Sequence, residues 1–312
     1  MTARAIPAHA SASWRDFVQL LKPRVMSLVI FTAVTGLVCA RAPMNPWLAA
    51  IAVLCIALGA GGSAALNMGF EGDIDAIMRR TRSRPVPAGR VQRSDALGLG
   101  VILSLFSVAI MGLATNWLAA GLLAFTIFFY AIVYTLWLKR RTPQNIVIGG
   151  LAGALPPAVG WAAASGTAPA NAWLLVAIIF MWTPPHFWAL SLFTTEDYAA
   201  AGVPMMPVVR GAPHTRLQIV IYSLILAPLA LVPAFTGLGG WLYLAVAAIG
   251  GLAFVGLAVR LATGPAEAET ARARTLFWFS IAYLFALFAA LLLERTINAP
   301  ATGFAFSRGA FG

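Results

Sequence analysis

An all-α polytopic bundle of about nine transmembrane helices is the fold class the sequence predicts, and three observations carry that prediction. Of 312 residues, 61% are hydrophobic and 10% charged, whereas soluble domains carry about 25% charged residues; the mean hydropathy is +0.85. Nine apolar segments can be marked, each about long enough to cross a hydrocarbon core as a helix of roughly 20 residues. The remaining charge is one-sided, because 18 of the 21 Lys and Arg fall before the first segment or in alternate connections between segments.

In chain order, residues 1–24 come first, an N-terminal segment that lacks the continuous apolar stretch of a signal peptide. Within it Trp14, Phe17, Val18 and Leu21 recur at i, i+3, i+4 and i+7, one apolar face of a short helix lying on the membrane surface. The spans run approximately 25–41, 47–68, 95–115, 117–138, 146–164, 171–193, 217–236, 240–261 and 275–293. Pro156-Pro157 and Pro184-Pro185 fall within or near spans, where prolines kink helices. Residues 25–295 thus form the transmembrane domain, and 296–312 a tail. Cys39 and Cys55 both lie in apolar spans with no CxxC or Cys/His cluster, so neither a disulfide framework nor a zinc site is indicated.

The basic residues orient the bundle. Arg4, Arg15, Lys22 and Arg24 precede the first span, and the residues between 79 and 93, 139–141, 210–216 and 260–274 add the rest of the 18. Only Arg41, Arg295 and Arg308 lie on the other side. The positive-inside rule then puts the N-terminus in the cytoplasm and the C-terminus outside a bacterial inner membrane. The net charge of +11 does not indicate nucleic acid, since these residues sit in short loops and not on one soluble face. Nine of the ten acidic residues share the basic side, and only Glu294 does not. The functional surface is therefore expected at the cytoplasmic face.

Two acidic clusters end spans on that face. After the second span, Asn67, Glu71 and Asp75 are spaced i, i+4, i+8, which puts three oxygen-bearing side chains on one helical stripe. Asp73 points elsewhere unless the helix breaks at Gly72. Like charges on a stripe call for a cation, and carboxylate and amide oxygens suit magnesium shared with substrate phosphates. Arg79, Arg80, Arg82 and Arg84 come directly after, and guanidinium groups recognise phosphate oxygens in bidentate fashion. Acids that hold a metal beside arginines that hold phosphate form a diphosphate site; the other explanation is that the arginines only fix topology and the acids only pair with them.

The sixth span ends in Trp182-Thr183-Pro184-Pro185-His186-Phe187-Trp188, then Ser191, Glu196 and Asp197. Both halves thus contribute acids, as in a weak internal repeat. His186 can ligate heme iron, take up a proton or bond a carbonyl freed by the prolines. Tyr134, Lys139, Arg140, Arg141, Thr142 and Asn145 gather at the end of the fourth span, where they could close over an anionic head group, while the positive-inside rule explains Lys139 to Arg141 equally well without any function.

These stretches carry a resemblance to the protoheme IX farnesyltransferase (heme O synthase) family of the UbiA-type intramembrane prenyltransferase superfamily. The matching pieces are Lys22-Pro23-Arg24-Val25, Asn67–Pro85, Tyr134-Thr135 with Lys139-Arg140, Asn145–Gly150, Pro156-Pro157 with Gly160-Trp161, Thr183–Ala189, and Asp197-Tyr198 with Ala201–Pro207. The resemblance implies a UbiA-type fold, with Mg2+ as cofactor and farnesyl diphosphate and heme B as substrates. It implies transfer of farnesyl to the heme vinyl group, with addition of water, to give heme O and diphosphate. It further implies metal ligation by Asn67, Glu71, Asp75, Asp73, Glu196 and Asp197, and diphosphate binding by Arg79, Arg80, Arg84, Lys139, Arg140 and Tyr134. Substrate contacts by Lys22, Arg24, Asn145 and Trp188 are implied too, with Asp197 or His186 orienting the added water. A heme A synthase or terminal-oxidase assembly machinery is the implied partner class beyond the lipid bilayer. Two departures stand out: Glu71 where the family usually has Asp, with Gly72 for a common Arg, and a second acidic motif reduced to Glu196 and Asp197. Rival readings are a prenyltransferase for a quinone or chlorophyll-type acceptor, a secondary transporter, and a non-catalytic heme-handling protein.

Overall fold

The computed structural model describes residues 12–297, all helix, turn and loop, with no strand among them. The first helix, α1 (Trp14–Leu20), starts at a capping box in which Ser13 Oγ accepts from Arg15 N–H and Asp16 accepts from Ser13 N–H. Its expected apolar face divides. Phe17 and Leu21 join the fully buried Leu20 against Ala65, Met68, Val91 and Ala96, while Trp14 and Val18 are exposed.

The membrane-crossing helices begin with α2 (Pro23–Cys39), α3 (Pro46–Phe70) with its short continuation α4 (Gly72–Ile77), α5 (Arg93–Ala114), and α6 (Trp117–Phe128), which passes into a π-helical segment, Phe129–Leu138. Then come α7 (Asn145–Ala154) and α8 (Pro156–Ser165), α9 (Ala170–Leu192), the short α10 (Thr195–Ala200), α11 (Met206–Phe235), α12 (Trp241–Thr263) and α13 (Glu269–Ile297). Among the described residues eight spans are long and apolar enough to cross a membrane, or nine if α1 and the 17-residue α2, bent by 50° from it, are counted as one span. Proline at N1 of α2, α3 and α8 starts each helix where no N–H is needed.

Three details depart from the sequence reading. Pro156 begins a new helix, so α7 and α8 are two segments of one span joined through the helical Leu155, but α9 runs through Pro184-Pro185 uninterrupted. The α11 helix starts at Met206, well before the expected 217, and turns at Gly211, whose φ of 80° strains any residue with a side chain. The last helix is also longer than expected at both ends. Of the tail assigned to 296–312, residues 298–312 lie outside the described residues.

Helices pack closely where side chains vanish. A Cβ at Gly36 would overlap the Pro157 carbonyl, and one at Gly160 the Ala33 carbonyl, so α2 and α8 cross backbone to backbone. One core, containing Trp188, Tyr243, Phe254 and Phe288, lies among α9, α11, α12 and α13. A second, containing Cys55, Ile56, Met111 and Leu123, lies among α2, α3, α5, α6 and α8. Helix α13 closes the bundle by packing on both α9 and α2. Both cysteines are buried and free. Large apolar side chains such as Ile102, Leu105, Ile249 and Leu252 face outward. Exposed Trp47, Trp117, Trp173 and Trp241 ring one end, with Trp14 and Trp137 at the other, the aromatic belts of a membrane-spanning protein. At that second end Ile74 and Met78 pack with Ile146, Tyr198, Val203 and Met205, so the two loops that carry the acidic clusters form one cap.

Candidate active site

Asn67 stands in the last turn of α3, and Glu71 is the junction to α4, with φ −103° and ψ 15°. The junction keeps helical bonding: Glu71 N–H donates to Asn67 O (3.0 Å) and Asp75 N–H to Glu71 O (2.9 Å). The i, i+4, i+8 stripe therefore survives the break, and Asn67, Glu71 and Asp75 are at most 2% exposed. Buried carboxylates this close require compensation, and three cations supply it. Lys139 Nζ lies 2.5 Å from Glu71 Oε2, Arg84 donates to Asp75 Oδ2 at 2.7 Å, and Lys22 Nζ donates to Asn67 Oδ1 at 2.6 Å. Burial, reinforced by the Arg84 charge and opposed by Glu71 and Asp75, pushes the Lys22 ammonium down to a pKa of about 7.

Supporting bonds come from residues the sequence reading did not assign. Asn67 Nδ2 donates to Thr135 Oγ1 (3.1 Å), which in turn donates to Tyr130 O (2.8 Å). Buried Thr81 donates to Asp75 O (3.0 Å), holding the turn that returns Arg84 to the site. Arg90 donates to Asp16 (2.7 Å) and Ser83 O (3.0 Å), tying α1 to that turn and holding the Asp16 carboxyl below the usual range. The signals were present only as neighbours: Thr135 is next to Tyr134, and Asp16 belongs to the capping box.

The remaining sequence-selected residues distribute around this centre. Asp73 does point elsewhere: it is exposed and bidentate with Arg140 (2.8 and 2.9 Å), which lowers its carboxyl pKa. Arg79 bonds Asp197 (2.9 Å) and Glu196 (3.0 Å) at the surface, linking the two halves of the cap. The six oxygen donors are thus not gathered into one site, and among the described residues no three of His, Cys, Asp and Glu stand together. Only Asn67, Glu71 and Asp75 share a buried position, because α4 turns Asp73 to the outside and Glu196 and Asp197 take Arg79 as their partner. Arg24 and Arg80 are exposed, with side chains that have no partner among the described residues.

Tyr134, in the π segment, lies flat against Gly149, where any Cβ would overlap its ring, and stacks on Tyr130 at 5.5 Å. Asn145 is fully buried, donates to Thr142 O (2.6 Å), and leaves Oδ1 unpartnered. Trp188, singled out for substrate, is fully buried in the core edge-on to Tyr222, with Nε1 unpartnered; its position between α9 and α11 is that of a packing residue. His186 Nδ1 lies 2.7 Å from Ser280 Oγ on α13, between Trp182 and Phe277, and no carbonyl freed by the prolines is its partner.

The oxygen donors of the trio are of the type that suits magnesium, although Asn67 Oδ1, Glu71 Oε2 and Asp75 Oδ2 accept from Lys22, Lys139 and Arg84. The trio offers two carboxylates and an amide oxygen, and Glu71 Oε1 is buried without any partner, the state of a ligand atom directed at something other than protein.

Comparison with known proteins gives the family and the fold. Residues 28–304 match the UbiA prenyltransferase family. The chain is 62% identical to the protoheme IX farnesyltransferase of Caulobacter sp. (strain K31), with 95% of this chain and 93% of that one aligned. It is 64% identical to that of Caulobacter vibrioides (91% and 92%) and 55% identical to that of Hyphomonas neptunium (93% and 95%). Among solved structures, a digeranylgeranylglyceryl phosphate synthase has the same fold at a TM-score of 0.74 and 16% identity, over 90% of this chain and 98% of that one. A UbiA homologue from Archaeoglobus fulgidus bound to GPP and Mg2+ shares it at 0.65 and 16% identity, over 88% and 99%.

Proposed function

The chain belongs to the UbiA prenyltransferase family, and from that premise we propose that it transfers the farnesyl group of farnesyl diphosphate to a vinyl group of heme B, with addition of water, giving heme O and diphosphate. The observation that carries the reading is the buried Asn67–Glu71–Asp75 stripe ringed by Lys22, Arg84 and Lys139. It stands in a chain 55–64% identical to three protoheme IX farnesyltransferases over nearly its whole length.

In this reading Asn67, Glu71 and Asp75 hold magnesium, which when bound supplies positive charge to the leaving diphosphate. Lys139 and Arg84, now paired with Glu71 and Asp75, exchange part of that pairing for diphosphate oxygens. Arg80, exposed and uncommitted, and Arg79 and Arg140 at the rim add guanidinium donors. Tyr134 and Phe187, packed beneath the cap, bound the apolar side on which the farnesyl chain lies. The C–O bond of farnesyl diphosphate breaks with its electron pair leaving on diphosphate. The vinyl carbon bonds the allylic carbon, and the cation left beside the porphyrin takes up water and loses a proton. Asp197, held at the cap by Arg79, orients that water.

The acidic end of the bundle faces the cytoplasm, because the basic loops crowd there; diphosphate then enters and leaves in the compartment that supplies it. The test is turnover by purified protein in a bilayer with heme B, farnesyl diphosphate and magnesium, read by mass spectrometry. A magnesium-dependent porphyrin heavier by a farnesyl group plus water is the expected product. Folded protein that binds both substrates and yields none refutes the reading.

A further inference from the structure

The neighbours of His186 fix its tautomer. Ser280 Oγ donates its single hydrogen to Phe277 O at 2.6 Å. Its 2.7 Å contact with His186 Nδ1 is then one in which the imidazole is the donor and the hydroxyl the acceptor. That puts the ring hydrogen on Nδ1 and leaves Nε2 with a free lone pair. Nε2 has no partner among the described residues, and His186 is only half-buried.

The ring cannot swing away from this arrangement. Trp182 stacks on one face (centroids 4.2 Å apart, planes 15° apart) and Phe277 on the other (4.7 Å, 19°). Trp182 is itself pinned to α13 by Nε1 donating to Ser280 O at 2.7 Å. No charged side chain bonds or stacks on the imidazole, and its polar neighbours are the Ser280 hydroxyl and the Phe277 backbone. Such surroundings suit a neutral ligand better than a group that must cycle its proton. A histidine that gives its second N–H to a fixed acceptor, with ring orientation locked, is the usual form of a metal-bound imidazole, and histidine is a common axial ligand of heme iron.

Position agrees. On α9, Trp182 faces α13, Thr183 meets Gly150 of α7, and Phe187 packs with Tyr134 and Ile146 under the cap. At about 100° per residue, His186 falls in the sector between the α13 contact and the residues that line the acidic end.

We propose that His186 ligates the iron of the acceptor heme through Nε2, with Ser280 as the residue that fixes its tautomer. This rests on the reading of heme B as acceptor. His186 is then a positioning residue, holding the porphyrin by its metal while the vinyl group reaches the allylic carbon.

The experiment titrates heme B and metal-free protoporphyrin IX into wild-type protein, His186→Gly and Ser280→Ala in nanodiscs, with turnover measured in parallel. Heme affinity is expected to fall about tenfold or more in His186→Gly, and by about tenfold in Ser280→Ala. Metal-free protoporphyrin should bind all three alike, and added imidazole should restore the Soret band of His186→Gly. Should His186→Gly misfold, the ferrous nitrosyl spectrum of wild-type protein carrying 15N-histidine decides instead, through the splitting from a trans imidazole. Product formation without a histidine-ligated spectrum overturns the inference and leaves the enzymatic reading intact. A histidine-ligated spectrum without product does the reverse, and wild-type protein that neither binds heme nor turns it over sinks both.

Discussion

Asp75→Asn and Asp73→Asn make a matched pair, since both remove one carboxylate from the same short helix at nearly constant volume. Asp75 is 1% exposed and held by Arg84 at 2.7 Å; Asp73 is exposed and held by Arg140. At an effective dielectric near 20, a unit charge 4 Å from another contributes about 4 kcal/mol. If Asp75 is a metal ligand, losing its charge should lower kcat/KM by about a thousandfold, at about 1.4 kcal/mol per decade. Asp73 faces solvent, where such pairs are worth about 0–1 kcal/mol, so its loss should cost no more than about fivefold. Stability should move less than activity: Arg84 is 23% exposed on its side chain and can turn to water when its partner is neutralised. The assay is steady-state turnover across a magnesium titration, with thermal melting as the folding control. Two variants equally impaired, or an Asp75→Asn enzyme within tenfold of wild type at ordinary magnesium, would refute the separation of a buried metal stripe from a surface ion pair.

Three further changes test the architecture. Gly149→Ala puts a methyl group into the Tyr134 ring and should destabilise by about 1–3 kcal/mol, read as a lowered Tm; in a Tyr134→Ala background the same substitution should cost little further. Glu294→Ala removes the acceptor for the N–H groups of Gly240, Leu242 and Tyr243, a cap worth about 1–2 kcal/mol, so Tm falls while KM for both substrates holds. Trp188→Phe deletes a buried N–H that bonds nothing and should leave Tm equal or raised, because an unsatisfied buried donor costs about 1–3 kcal/mol. Turnover within twofold of wild type would support the packing role, and a changed heme affinity would restore Trp188 to the substrate site.

The spans and the acidic stripe were legible because each is a local pattern. Hydropathy marks a helix from its own residues, and Asn67, Glu71 and Asp75 declare a shared face by spacing alone. Their partners were legible only as a set of basic residues near that end. Lys22 is 45 residues from Asn67 and Lys139 is 68 from Glu71, so no periodicity joins them. The same limit explains Glu196 and Asp197. As a second acidic motif they invited a metal role by analogy with the first, yet nothing in their spacing encodes Arg79, which arrives from the other half of the chain. His186 was legible as unusual, but its tautomer depends on Ser280, 94 residues on.

The π-helical segment was invisible for a different reason: widening the turn leaves the hydropathy of Phe129–Leu138 unchanged. Its consequences are nevertheless central. Lys139 N–H bonds Tyr134 O and Thr135 Oγ1 bonds Tyr130 O, both five residues back. Each added residue per turn displaces the downstream residues by about 100° relative to an α-helix. An α-helical continuation from Phe128 would therefore carry Thr135 away from Asn67 and Lys139 away from Glu71. π turns are rare and concentrate at functional sites. Here the segment delivers two contacts to the acidic stripe from one span, and Gly149 lets α7 close over the Tyr134 ring that the wider turn displaces. The stripe on α3 is written in its own sequence. The cation that faces Glu71 is placed by the backbone of another helix.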